Sequence, residues 1–341
     1  MRRKINPWLV TAGAIVGAGI AARSLLRRSR YLALDGAVVL ITGGSRGLGL
    51  LLAREAASRG ARIAICARDE VELQRAADEL LDRGADVLAV QCDLTVRPQV
   101  EEFVAGTIRH FGGIDFLIHN AGTITVGPVE EMTIDDYDEA IRLHLGAAVY
   151  AAHAVLPHMK QRGRGRIVNV TSIGGKVPAP HLLPYTASKF ALVGFSEGLR
   201  TELLKDNIYV TTVVPGLMRT GSPRNAFFKG NVEQEYAWFS TADVLPLISM
   251  DAARMARRVI DAAEHGDAEL ILPWTAKVQA KLHALMPGLS TDIAGLINRL
   301  LPEPGGVGTT RVVGALSESQ LRPQFVVEAN ESAARANNEL P

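Results

Sequence analysis

A strand-length apolar run that leads through a glycine-rich turn into a helical segment constrains the fold of this chain more than any other feature. Residues 37–42 read AVVLIT, residues 43–49 read GGSRGLG, and helical periodicity follows. Such a turn lets the backbone approach a pyrophosphate, and the helix start offers free N–H groups. The alternative interpretation is a tight turn without a ligand. The pattern predicts a nucleotide site that contains Thr42, Gly43, Ser45, Arg46, Gly47, Leu48 and Gly49.

Further strand-length apolar runs recur along the chain, with helical segments between them. They lie at residues 61–67, 86–91, 114–118, 166–170, 209–214 and 269–272. Repeated βα units of this kind predict an α/β fold with a parallel sheet. Ligands on such sheets bind beyond the carboxyl ends of the strands, where the quoted motifs stand.

The end of the second strand indicates which dinucleotide is preferred. An acidic residue that would accept hydrogen bonds from a ribose 2′-OH is replaced here by Cys66, Ala67 and Arg68. Arg68 can pair with a 2′-phosphate, and Arg46 in the turn can add a second contact. Asp69 and Glu70 follow closely, and Arg68 is alternatively a solvated charge. The residues favour NADP(H) and do not exclude NAD(H).

Ser172, Tyr185 and Lys189 form a candidate catalytic set. If a helix begins at Pro184, Tyr185 and Lys189 lie one turn apart on one face. An ammonium near a phenol favours the phenolate, and Ser172 can hydrogen-bond the same substrate oxygen. This arrangement suits proton transfer at a carbonyl or alcohol oxygen. The spacing also occurs by chance on surface or core helices.

Residues 34–273 resemble the short-chain dehydrogenase/reductase superfamily. The resemblance rests on TGGSRGLG at residues 42–49, CDL around Asp93, HNAG at residues 119–122, the Ser172/Tyr185/Lys189 set and Pro215-Gly216. It implies a Rossmann-type doubly wound seven-stranded sheet of order 3-2-1-4-5-6-7, with helices on both faces. It also implies hydride transfer between a nicotinamide and a carbonyl or alcohol carbon. Members of the family are mostly homo-oligomers.

The resemblance also implies a role for each matching residue. Tyr185 is expected to be the general acid/base, Lys189 to lower its pKa and bind the nicotinamide ribose, and Ser172 to orient the carbonyl. The expected cofactor contacts are Asp93 and Leu94 at the adenine, Asn120, Ala121 and Gly122 at the nucleotide site, and Pro215, Gly216 and Thr220 around the nicotinamide.

His144 departs from the family pattern, because it stands where an Asn usually holds a water behind the Lys. A histidine can donate and accept hydrogen bonds, and it titrates near neutral pH. It is therefore a tentative catalytic residue that would make a proton relay pH-sensitive. The alternative is a core histidine whose hydrogen bonds are satisfied.

Composition limits the classes of partner. The net charge of +1 includes seven Lys or Arg and no acid in residues 1–30, which leaves 30 basic against 36 acidic residues in the remainder. A mildly acidic body argues against a nucleic-acid partner. Cys66 and Cys92 are expected to be reduced core thiols, and no Cys/His cluster suits a metal.

Residues 1–33 are predicted to be an N-terminal hydrophobic anchor with basic flanks. Residues 7–22 carry no charge, and residues 7–26 are about long enough to cross a bilayer as a helix. A signal peptide or a soluble tail are the alternatives. Since the cofactor is intracellular, the anchor places the catalytic domain on the cytoplasmic side; without an anchor the protein would be cytoplasmic.

Two segments extend the catalytic domain of residues 34–273. Residues 219–249 contain five aromatics within thirteen residues, which predicts an apolar lid and a lipophilic substrate; loop packing or a subunit interface are the alternatives. Residues 274–303 are predicted to form amphipathic helices at 276–285 and 291–301, and residues 304–341 a poorly ordered tail.

The leading functional hypothesis is an NADP(H)-dependent oxidoreductase that acts on a lipophilic carbonyl or alcohol. The alternative is a 3-oxoacyl-carrier reductase of lipid synthesis, for which Arg162, Arg164 and Arg166 are a candidate carrier-binding patch. A non-enzymatic NADP sensor or scaffold is the third hypothesis, although such proteins usually lack the Tyr or the Lys.

Overall fold

The computed structural model describes residues 22, 24–245, 249–317 and 321–340 of the chain. Its strands are β1 (Val38–Thr42), β2 (Arg62–Ala67), β3 (Val87–Gln91), β4 (Phe116–His119), β5 (Thr125–Val126), β6 (Gly165–Val170), β7 (Ile208–Pro215), β8 (Leu217–Arg219), β9 (Phe227–Phe228), β10 (Ser249–Asp251), β11 (Glu269–Leu272) and β12 (Val312–Val313). Its helices are α1 (Gly47–Ser58), α2 (Glu70–Asp82), α3 (Arg97–Phe111), α4 (Ile134–Ile141), α5 (Ala147–Arg162), α6 (Leu183–Leu203), α7 (Val232–Val244), α8 (Ala252–Glu264), α9 (Trp274–Leu285), α10 (Pro287–Asn298) and α11 (Gln324–Ala336).

Seven strands form one parallel sheet in the order β3-β2-β1-β4-β6-β7-β11. Counted along the chain, this is the predicted order 3-2-1-4-5-6-7, so the predicted Rossmann-type sheet is confirmed. β1 lies inside the sheet between β2 and β4, and all five of its residues are buried. A strand buried on both faces requires the continuous apolar sequence seen there.

Helices cover both faces of the sheet. α1, α2 and α8 bury one core with residues such as Leu52, Leu73 and Val259. α3, α5 and α6 bury the other, with residues such as Phe103 and Val155. This three-layer arrangement leaves the carboxyl edge of the sheet open between the loops that follow β1, β4, β6 and β7, where ligands bind in such folds.

The predicted poorly ordered tail at residues 304–341 is wrong for the described residues of that segment. β12 pairs with β9, which also pairs with β5, so a three-stranded sheet joins three distant parts of the chain. α11 then buries Val326, Asn330 and Ala334. The polar composition of this segment is typical of disorder. Its order comes from contacts with distant parts of the chain, which composition does not reveal.

The predicted anchor at residues 7–26 lies largely outside the described residues. Among the residues that the structure describes, no helix has the length and apolar character needed to cross a bilayer. The two helices predicted after residue 273 correspond to α9 and α10. Cys66 and Cys92 are free and buried, as predicted.

Candidate active site

The glycine turn is held by close backbone contacts that exclude side chains. Gly43 has φ +67°, and a Cβ there would lie 2.9 Å from the Ala121 Cα. A Cβ on Gly49 would lie 1.9 Å from the Gly43 carbonyl oxygen. The turn is thus compressed against the loop after β4, which explains the glycines at both positions.

Thr42 and Asn120 join this turn to the neighbouring strand end. Thr42 Oγ1 accepts hydrogen bonds from the backbone N–H of Asn120 at 3.1 Å and of Ala121 at 3.3 Å. Asn120 Nδ2 donates to the Gly43 carbonyl oxygen at 3.0 Å. These hydrogen bonds tie the ends of β1 and β4 together beneath the candidate nucleotide site.

A cavity of about 1020 Å³ opens along the carboxyl edge of the sheet. This volume suits a dinucleotide together with a small substrate. The predicted site residues that line it are Gly43, Ser45, Arg46, Gly47, Leu48, Arg68, Leu94, Asn120, Ala121, Gly122, Ser172, Tyr185, Lys189, Pro215, Gly216 and Thr220. Thr42, Gly49, Asp93 and His144 lie outside this lining.

The candidate catalytic set meets on one wall of the cavity. Pro184 stands in the first turn of α6, so Tyr185 and Lys189 share a face one turn apart. Lys189 Nζ lies 5.7 Å from the centroid of the Tyr185 ring and donates to the Val170 carbonyl oxygen at 3.1 Å. Ser172 follows β6, and its Oγ accepts a hydrogen bond from the Gly174 N–H at 3.0 Å.

Burial controls the protonation of this set. It raises the pKa of Tyr185 above its ordinary value, although the Ser172 hydroxyl opposes the shift. Burial also lowers the pKa of Lys189 to about 7. The prediction that Lys189 draws the Tyr185 pKa down is not met here, since desolvation dominates. A neutral phenol is the form that can donate a proton to a carbonyl oxygen.

His144 lies directly behind the catalytic set, in a π-helical turn at Arg142–Gly146. Its Nε2 accepts from the Thr123 N–H at 3.1 Å, so its Nδ1–H donates to Ser188 Oγ at 2.7 Å. Burial and the Lys189 charge hold the pKa of His144 well below its usual value. The ring is neutral with both nitrogens bonded, which is the core-histidine alternative; a role as a titrating relay is not supported.

The two arginines expected at a 2′-phosphate differ in their surroundings. Arg68 is exposed, and Asp69 caps α2 by accepting from the Glu72 N–H at 2.8 Å. Arg46 Nη1 pairs with Glu72 at 2.8 Å, so a phosphate would meet an arginine that already has a counter-charge.

Asp93, expected at the adenine, uses its carboxylate locally. Its Oδ1 accepts from the Thr95 N–H at 2.9 Å and from the Thr95 hydroxyl at 2.8 Å. Its neighbours Cys92 and Leu94 line the cavity instead. The acid therefore shapes the loop after β3.

The predicted aromatic lid divides into two parts. Phe228 and Tyr236 pack in a small core, as the loop-packing alternative held, whereas Trp238 and Phe239 line the cavity. Leu182 and Ile124 complete an apolar wall beside them. This end of the cavity favours apolar groups.

A buried polar network that the sequence did not reveal holds Trp238. Its Nε1–H donates to Glu235 at 2.6 Å, and His181 Nδ1 lies 2.7 Å from the other oxygen of the same carboxylate. His181 has φ +60° and stands between Ser172 and Tyr185 in the chain. Since His181 and Glu235 lie 54 positions apart, no local pattern indicates their contact.

The structure places Glu339 and the three arginines of the candidate carrier-binding patch differently from the sequence-based predictions. Glu339, in the segment predicted to be disordered, lines the cavity beside the glycine turn. Arg162 and Arg164 pair with Asp115, and Arg166 stacks on Tyr209 at the amino edge of the sheet. The candidate carrier-binding patch is therefore remote from the catalytic set.

Comparisons with known proteins agree with this geometry. The short chain dehydrogenase family model matches residues 37–228. A putative ketoacyl reductase of Streptomyces coelicolor is 36% identical over 188 residues, which cover 54% of this chain and 72% of that protein. The 11-beta-hydroxysteroid dehydrogenase-like protein 4A of Arabidopsis thaliana is 34% identical over 257 residues, or 75% of this chain and 82% of that protein.

Solved structures show the same fold. A crystal structure of a variant actinorhodin polyketide ketoreductase with NADPH superposes with a TM-score of 0.62 at 29% identity and covers 71% of this chain and 97% of that one. Levodione reductase superposes with a TM-score of 0.62 at 25% identity, over 71% of this chain and 98% of that one. With its sheet order, glycine turn and Ser172/Tyr185/Lys189 wall, the chain belongs to the short-chain dehydrogenase/reductase family.

Proposed function

We propose that the chain is an NADP(H)-dependent oxidoreductase that reduces the carbonyl group of a lipophilic substrate, with Tyr185 as the proton donor. The observation that carries the proposal is that Ser172, Tyr185 and Lys189 meet on the wall of a cavity that also contains the glycine turn. The catalytic domain of this proposal spans residues 34–273.

The residues around the glycine turn fit a dinucleotide. The backbone approach at Gly43 and Gly49 leaves no room for side chains, and Gly47 and Leu48 at the start of α1 line the cavity, where a helix N-terminus favours a phosphate. Arg46 and Arg68 favour a 2′-phosphate, and the related ketoreductase structure contains NADPH. NAD(H) is not excluded.

The side chains of Ser172, Tyr185 and Lys189 then carry out the proton transfer to the substrate oxygen. When bound, NADPH supplies a hydride to the carbonyl carbon. Ser172 holds the carbonyl oxygen by a hydrogen bond, and the Tyr185 phenol donates its proton to that oxygen as the C–O bond becomes an alcohol. The Lys189 ammonium offsets the charge of the phenolate until solvent returns a proton.

The apolar end of the cavity supports a lipophilic substrate. Trp238, Phe239, Leu182 and Ile124 surround the space beyond Tyr185. Such a wall gains affinity by removing apolar substrate surface from water. Membrane association through residues 7–26 suits such a substrate and stays a prediction, as does a homo-oligomer.

The second candidate function is reduction of a 3-oxoacyl group on a carrier. The resemblance to ketoacyl reductases favours it. The arginines considered for carrier binding argue against it, because they lie at the opposite edge of the sheet from Tyr185.

The decisive assay is NADPH oxidation with a panel of ketones, aldehydes and 3-oxoacyl thioesters. We expect Tyr185→Phe to remove activity and to retain NADPH binding. Tyr31→Phe is the matched control, because Tyr31 is 52% exposed and contacts Glu264 instead of the cavity. Full activity of Tyr185→Phe would refute the assigned proton donor, and NADPH binding without turnover of any carbonyl would favour a sensor.

A further inference from the structure

Residues Asn337–Glu339, which follow α11, lie against the glycine turn. The Gly47 N–H donates to the Asn337 carbonyl oxygen at 2.9 Å. Asn338 Nδ2 donates to the carbonyl oxygens of Ser45 at 2.8 Å and Glu72 at 3.1 Å. This segment therefore takes up polar backbone groups of the turn that would face a cofactor.

Glu339 brings a carboxylate to the start of α1. Its side chain is only 3% exposed, and a Cβ on Gly47 would lie 2.6 Å from its Oε1. Its Oε2 lies 3.6 Å from Arg46 Nε and also accepts from Asn225 Nδ2. An anion at a helix N-terminus beside an arginine has the same local environment as a bound phosphate.

A dinucleotide phosphate and the Glu339 carboxylate cannot share this place. Two anions a few ångströms apart in a poorly solvated cavity repel strongly, and Arg46 already faces Glu72. We propose that the Asn337–Glu339 segment competes with the cofactor phosphates for Arg46 and the glycine turn, so that NADP(H) binds by displacing Glu339. The inference rests on the NADP(H) dependence proposed above.

The contacts of Glu339 are those of a group that a cofactor phosphate can displace. Burial raises its pKa to about 7, although Arg46 and Asn225 oppose the shift, which means that the docked carboxylate is under-compensated. α11 is fixed separately, because Ala334 packs on Gly221 and Asn330 Nδ2 donates to the Ser240 carbonyl oxygen. Displacement therefore requires movement only beyond the end of α11.

The test is a fluorescence titration of NADPH into the full chain and its variants. Glu339→Gln removes the competing charge, and Asn338→Ala removes two hydrogen bonds that dock the segment. We expect the Kd for NADPH to fall about fivefold or more in each, as for a modest coupling between two ligands. Glu331→Gln is the control, because Glu331 lies on α11 and pairs with Arg335 at 3.2 Å.

Hydrogen–deuterium exchange gives a second readout. We expect NADPH to speed amide exchange in residues 337–340 and to leave α11 protected. Slower exchange on NADPH binding, or an unchanged or weaker NADPH affinity in Glu339→Gln, would overturn the inference while leaving the proposed function intact. Failure of every variant and of the parent chain to bind NADPH would overturn both. A mere loss of structure cannot tighten binding, so the expected direction is diagnostic.

Discussion

His119 Nε2–H donates a hydrogen bond to the carbonyl oxygen of His144 at 3.1 Å. The carbonyl belongs to the π-helical turn behind Lys189. His119 Nδ1 lies 3.2 Å from Thr42 Oγ1, the hydroxyl that also holds the loop after β4. A buried, neutral imidazole thus joins the glycine turn to the turn behind the catalytic set.

Acid should destabilise the fold through His119. Burial lowers its pKa from 6.5 to about 3, with a smaller contribution from Lys189. The unfolded chain binds the extra proton between these values, so this stability is present above pH 6.5 and is lost as the pH falls toward 3. We expect His119→Asn to reduce the acid loss by up to about 1.4 kcal/mol per pH unit, measured by urea unfolding from pH 7.5 to 4.5.

His153→Asn is the control for this prediction, because His153 is exposed on α5. Equal acid sensitivity of the parent chain and His119→Asn would contradict the argument.

The reduction rate should fall as the pH rises through about 7. Burial lowers the pKa of Lys189 to about 7, so the ammonium that offsets the Tyr185 phenolate is lost above that pH. We expect kcat/KM to decline about tenfold per pH unit above the pKa. Lys189→Arg keeps its charge, so its profile should be flat between pH 6 and 9, although its rate is lower. A parent profile that is constant over this range would exclude Lys189 as the titrating group.

The buried ion pair between Asp136 and Lys229 should stabilise the fold only when both partners are present. The two side chains are 4% and 3% exposed, and their charged atoms lie 2.5 Å apart. Removing one partner leaves an uncompensated buried charge, so we expect Lys229→Ala to cost about 3–5 kcal/mol of unfolding free energy. The double variant Asp136→Ala/Lys229→Ala should lose less unfolding free energy than the two single variants lose together.

The exposed Arg97–Glu101 pair on α3 provides the comparison. Its side chains are 68% and 46% exposed and are screened by solvent, so Arg97→Ala should leave the free energy of unfolding almost unchanged. Similar losses for Lys229→Ala and Arg97→Ala would contradict the role assigned to burial.

Trp238 should select substrates by size. It lines the cavity and is fixed by Glu235, so Trp238→Ala opens apolar space beyond Tyr185. We expect kcat/KM for bulky ketones to rise about tenfold relative to small ones, and Glu235→Gln to have a weaker effect in the same direction. Trp274→Ala is the matched control, since Trp274 is 70% exposed on α9. An unchanged ratio in Trp238→Ala would place the substrate elsewhere.

The sequence predicted the sheet and the catalytic wall because both depend on short-range patterns. β1, its glycine turn and α1 are contiguous, and Tyr185 and Lys189 are set by one helix turn. The predicted role of His144 changed once its surroundings were visible, since burial and two hydrogen bonds decide whether a histidine titrates.

Glu339 and the His181–Glu235–Trp238 network could not be predicted in this way. His181 lies 54 positions from Glu235, and Glu339 lies 114 positions from Asn225. Asn338 and Glu339 also occur in a polar stretch without periodicity. Asn338 and Glu339 reach the cavity only because α11 runs across the lid segment of residues 219–249.

The three-stranded sheet β5-β9-β12 also bears on the order of folding. Phe227 and Phe228 must meet Thr125–Val126 and Val312–Val313, so each pairing closes a loop of many tens of residues. Contacts of such long sequence separation form slowly. We expect the nucleotide-binding half, made of contiguous βα units, to assemble first, because β9 cannot pair with β12 until residue 313 has been synthesised. The small core in which Phe228 packs with Phe239 is then completed only after most of the chain has been made.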